Sequence, residues 1–125
     1  MTRVTPAEIE QFRTQLAEYP SALAALQTIE DCDGDLEDAA MALAIKAGQQ
    51  PDMANSEWLD VLARKCRAII CRREFRDDLR SGNYAEIVPY LAATSLCPAL
   101  LATPVIMYVV RQGVNDFCQP LDPLL

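Results

Sequence analysis

SEWLDVLARKCRAIICRREFRDDLR, residues 56–80, decides the fold class. At about 100° per residue its apolar side chains fall on two sides. Leu59, Leu62, Ala63, Cys66, Ile69 and Ile70 share one side; Val61, Ala68, Cys71, Phe75 and Leu79 lie nearly opposite. Two stripes need two partners. A helix in the middle of a bundle satisfies both, and so does one that breaks near Cys71 and Arg72, turning the second stripe onto the same core. No Gly or Pro interrupts the run to cause a break, so the reading is one central helix over 56–80. Ser56 would be its N-cap, Glu57 and Asp60 the negative charge of its first turn, and Arg80 followed by Gly82 its stop.

A chain of 125 residues is the size of one domain. Apolar residues make up 51% of it and aromatics only 6%. The core must therefore be Leu, Ile, Val and Ala, which suits helix packing, and the expectation is an all-α bundle of six or seven helices. Five cysteines, Cys32, Cys66, Cys71, Cys97 and Cys118, are an odd number without a Cys-x-x-Cys pair, and MTRVTPAEIE does not read as a signal peptide. Reduced thiols in a cytoplasm are expected. With no histidine, a zinc site would need scattered ligands, so no metal and no cofactor is expected.

Upstream of the central stretch, Thr5-Pro6-Ala7-Glu8 combines an N-cap, a proline at the first helical position and a capping-box glutamate, opening a helix over about 6–19. Leu23, Leu26 and Ile29 mark a second helix, which stops at the acidic turn. Asp35 caps a third, with Leu36, Ala40, Leu43 and Ala47 on its buried face. GQQPDMAN, residues 48–55, is polar and aperiodic and offers a possible subdomain boundary. Downstream, Asn83-Tyr84-Ala85-Glu86 repeats the capping-box pattern, although Pro89 must kink that helix or shift its start. Thr103-Pro104 reads as cap and first position of a helix over 105–112, with a buried strand as the rival, and the tail after Gly113 should fray or lie on the surface.

Asp31, Asp33 and Asp35 invite a calcium-loop reading, but the turn-glycine position then holds Leu36 and the bidentate-glutamate position Ala42. An acidic first turn favourable to the helix dipole accounts for them. ALQTIEDCDGDLEDAAMALAIKAG, residues 25–48, resembles the last two helices of ubiquitin-associated-type domains and the helix-turn-helix of the Fis type, through its turn and its Ala-rich amphipathic helix. It departs from the first at Glu18-Tyr19-Pro20, where that family has a Met-Gly-Phe-type loop, and from the second in having an acidic helix where a basic one reads DNA.

Charge is unevenly placed. Residues 1–60 carry three basic and twelve acidic side chains, and residues 61–80 seven basic and three acidic. The overall charge of −7 works against nucleic-acid binding. Lys65, Arg72, Arg73, Arg76 and Arg80 form the one basic patch, which is either paired locally or docks an acidic partner, a phosphate group or RNA. No histidine base, phosphate loop or Gly-x-Ser-x-Gly elbow is present, and an enzyme would have to use Cys66 or Cys71 beside its basic neighbours. Residues 87–110 contain no charge, and their most apolar run, Leu96 to Val110, at about 15 residues and interrupted by Pro98 and Pro104, is too short and too broken to span a membrane. They either fill the bundle or leave an apolar face for a partner. The expected function is a noncatalytic cytoplasmic interaction or regulatory module, with a homodimer as one form of it and Ile87, Leu91, Leu100, Val105 and Tyr108 at the interface.

Overall fold

A computed structural model describes residues 2–50 and 55–121, with side chains from 57 onward in the second segment. The described chain is about 72% helical, with no strand. Its helices are α1 (Pro6–Gln15), α2 (Pro20–Asp31), α3 (Leu36–Lys46), α4 (Asn55–Lys65), α5 (Arg67–Ile70), α6 (Arg73–Arg80), α7 (Ile87–Ala92), α8 (Ala99–Gln112) and α9 (Val114–Cys118), and a 3-10 turn over Gln119–Leu121 follows. The all-α class is as the sequence implies. Among the described residues no helix is long and apolar enough to cross a membrane.

The N-terminal caps form as their residue types dictate. Thr5 Oγ1 accepts the amide of Glu8 at 3.2 Å and Glu8 returns a carboxylate to the amide of Thr5 at 3.0 Å. Asp35 Oδ1 accepts the amide of Asp38 at 3.1 Å. The acidic turn before α3 is a structural joint. Val4 donates its amide to the Gly34 carbonyl at 2.9 Å and Leu36 donates to the Thr2 carbonyl at 2.8 Å, an antiparallel bridge between the first residues and the turn. Gly34 has φ +84°, and a Cβ there would stand 2.3 Å from the Val4 carbonyl oxygen, so only glycine closes this joint. Among the described residues no cluster of three or more acidic or cysteine side chains is arranged to hold a metal.

Residues 56–80 do not form one helix. The chain leaves helical geometry at Cys66 (φ −94°, ψ 1°) and again at Cys71 (φ −90°, ψ 11°) and Arg72 (φ −59°, ψ 145°), giving α4, α5 and α6. The reason is the double stripe. Leu59, Leu62, Ala63, Cys66 and Ile70 are buried, as are Phe75 and Leu79 beyond the break, while Ala68, of the second stripe, is exposed. Breaking the helix rotates both stripes onto one core. Helix α4 starts at Asn55, so Ser56 falls inside its first turn and is not the cap. Residues 51–54 of the expected linker lie outside the described residues.

The central element is α8, which packs against α2, α3, α4, α7 and α9. Every residue from 101 to 107 is buried. It begins at Ala99, so Thr103 and Pro104 are interior and not its cap and first position. Pro104 removes one backbone bond, a defect costing about 3 kcal/mol in an isolated helix, and burial of its neighbours on all sides offsets that. The Thr103 hydroxyl, fully buried, has no hydrogen-bond partner among the described residues. Helix α7 starts at Ile87, with Pro89 in its first turn, so the Asn83 capping box is not made; Asn83 Oδ1 instead accepts the Ala85 amide at 3.2 Å. As far as α9 the segment after Gly113 is held in the core, burying Val114, Phe117 and Cys118, and Gln119–Leu121 then lies exposed on the surface.

Candidate functional site

The expected apolar interface is mostly interior. Ile87, Leu91 and Val105 are completely buried within a single copy and have no surface to offer. Leu100 and Tyr108 are half-buried against the same core. Tyr108 donates its hydroxyl to Asp60 Oδ1 at 2.7 Å, tying α8 to α4, and burial together with that carboxylate raises its pKa well above the ordinary tyrosine value. Its bond is an internal tie.

The five basic residues grouped by sequence divide into three environments, because the breaks in 56–80 rotate them apart. Lys65 lines a cleft of about 380 Å³ between α4 and the loop before α8, with Trp58, Thr94, Ser95, Leu96 and Cys97. Arg72 donates to the Tyr90 hydroxyl at 2.6 Å and lies over its ring, 5.2 Å from the centroid. Arg73, Arg76 and Arg80 remain together around a hollow of about 280 Å³, with Asp77 and Cys71 completing its walls. Arg80 is also bonded to Asn115 Oδ1 at 2.8 and 2.6 Å and to Asp77 at 3.3 Å, which fixes α6 against α9.

Cysteine chemistry differs most from the sequence reading. Cys71 and Cys118 form a disulfide between the end of α5 and the end of α9, so not all five thiols are reduced. Spacing along the chain could not reveal this pairing, which joins residues 47 apart. Cys66 and Cys97 are buried free thiols that share a hydrogen bond. That bond, with help from Lys65, holds the Cys66 thiol below its usual range against the opposing effect of burial; the same bond and burial push Cys97 far up. Cys66 is therefore polarised but wholly enclosed, and Cys97 is the member of the pair that meets the cleft.

Sequence reasoning missed a continuous uncharged depression. Tyr19, Pro20 and Ala22 of the α1–α2 corner face Val88, Pro89, Ala92 and Ala93 of α7 across a groove of about 330 Å³. Its signal was available as small residues and prolines at exposed helix positions, with Tyr19 and Tyr90 both left partly in solvent. No protein-family model, curated protein or solved structure matches this chain.

Proposed function

We propose that the chain is a noncatalytic interaction module whose contact face is the groove between α2 and α7. The supporting observation is its wall composition: alanine and proline on both sides, no charged side chain, and tyrosine at the edge. Small walls leave room for bulky apolar side chains of a partner, and an exposed tyrosine adds rigid contact area with a polar tip. Arg72, held over Tyr90 one residue beyond Pro89, supplies a cation for an acidic flank of the same partner. The chain contains no histidine and its polarised thiol is enclosed, which argues for binding over catalysis. RNA or an extended phosphate ligand fits poorly, since Lys65 lines a different cleft and Arg72 is bonded to Tyr90, apart from the hollow of the remaining arginines. A cytoplasmic setting is consistent with this role only if the Cys71–Cys118 bridge is made and broken there, because permanent disulfides belong to oxidising compartments.

The test is selection of phage-displayed peptides on the whole protein, followed by binding measurements on Ala93→Trp, which fills the groove from an exposed position. Enriched peptides should carry an aromatic or aliphatic anchor and lose about tenfold or more in affinity on the variant. No enrichment, or equal affinity for a variant of unchanged helicity, would sink the reading. Light scattering across a concentration series adds the identity of one occupant: a dimer abolished by Ala93→Trp makes the partner a second copy.

A further inference from the structure

We propose that the hollow formed by Arg73, Arg76 and Arg80 is a reaction site at which a small carboxylate-bearing thiol opens the Cys71–Cys118 disulfide by attack on the Cys71 sulfur. Three observations meet there. Cys71 is half-exposed and forms part of the wall of the hollow, whereas Cys118 is fully buried, so the bridge presents one sulfur to solvent and hides the other. Arg73, Arg76 and Arg80 line the same hollow as Cys71, with Asp77 as the carboxylate among its lining residues. The hollow, at about 280 Å³, suits a molecule of a few residues and not a polymer.

The chemistry follows from these positions. Guanidinium forks pair with carboxylates and place such a thiol beside the bridge. The same positive field lowers the pKa of the docked thiol and raises its thiolate fraction. The thiolate sulfur bonds to Cys71 Sγ, the Cys71–Cys118 bond breaks, and the electron pair leaves on Cys118, which takes up a proton. A second thiol molecule then attacks the sulfur of the adduct, releasing Cys71 as a thiol and a small-molecule disulfide. The net change is one protein disulfide and two thiols converted to two protein thiols and one small disulfide, with no other oxidant or reductant. The site is separate from the α2–α7 groove and does not depend on that reading.

The experiment follows reduction of the bridge in the full chain by 3-mercaptopropionate, 2-mercaptoethanol and cysteamine, which are anionic, neutral and cationic. Each rate is divided by the rate of the same thiol on a neutral linear peptide disulfide, removing intrinsic reactivity. At low salt the normalised anionic rate should exceed the cationic one about tenfold, and the ratio should fall toward one as salt rises. Arg73→Gln should cut the ratio about threefold and Arg73→Lys should retain most of it, with helicity unchanged because Arg73 is exposed. Acid-trapped adducts, mapped by mass spectrometry, should sit on Cys71. A ratio near one, a ratio untouched by Arg73→Gln, an adduct on Cys118, or an intact mass with five free thiols would each overturn the proposal.

Discussion

Residues 55–80 and α8 carry apolar side chains at comparable helical spacing, yet one segment is broken into three pieces at the margin of the core and the other runs unbroken through its middle. Charge separates them. Every turn of 55–80 contains acids or bases that must reach water, so the segment can bury only one side at a time and bends to do it. Helix α8 carries a single charge, Arg111 in its last turn, where it pairs with Glu8 at 3.2 Å. Centrality in this bundle is set by freedom from charge and not by the length of a periodic pattern. Even Pro104 does not disqualify α8, because a fully surrounded helix is held by side-chain packing.

The largest test of that contrast places the same charge in each region. Ile106→Asp, at a fully buried position, should cost about 4 kcal/mol or more and abolish cooperative unfolding at ordinary temperature; Ala68→Asp, exposed on α5, should stay within about 0.5 kcal/mol. Urea denaturation measures both, and equal effects would break the comparison. Next in size is the bridge. Cys118→Ala removes a crosslink between residues 47 apart, worth about 4 kcal/mol from chain entropy. Hydrogen exchange should show protection lost first in α5, α6 and α9 while α8 amides remain slow.

The smallest effect concerns the tie between the two regions. Tyr108→Phe removes the hydroxyl bonded to Asp60 and should cost about 1 kcal/mol at neutral pH. Because burial and Asp60 raise the folded-state pKa of Tyr108, its contribution is complete below the unfolded value of about 10 and is lost as pH climbs from there toward the folded value. Wild type should therefore lose stability more steeply than the phenylalanine variant between about pH 10 and 11.5, read from denaturant midpoints. Parallel curves would remove Tyr108 from the joint.

The class of fold and the local starts were legible because they depend on neighbouring residues. Thr5 with Glu8, and Asp35 with the amide of Asp38, are contacts three positions apart. The break at Cys66 was not, and the one near Cys71 was legible only as the alternative to an unbroken helix, since no Gly or Pro there forces either; both come from the requirement that Leu59 and Phe75 reach the same interior. For the same reason Ile87, Leu91 and Val105 could be read as interface: an uncharged face looks alike whether α2 or another molecule covers it. The arginine group was half legible. Arg73, Arg76 and Arg80 repeat at helical spacing within α6, while Lys65 and Arg72 were separated from them by turns that the sequence does not mark.

The joint between Thr2–Val4 and the Gly34 turn has a mechanical meaning. Tension applied between residues 2 and 121 falls at one end on two backbone hydrogen bonds, from Val4 to Gly34 and from Leu36 to Thr2, and at the other on the covalent Cys71–Cys118 link. The N-terminal end is the one that yields. Extension then peels α1 away from α2 and proceeds toward α4, while the 47-residue interval closed by the bridge contributes nothing to the stretched length, withholding about 160 Å of contour until the bridge is reduced.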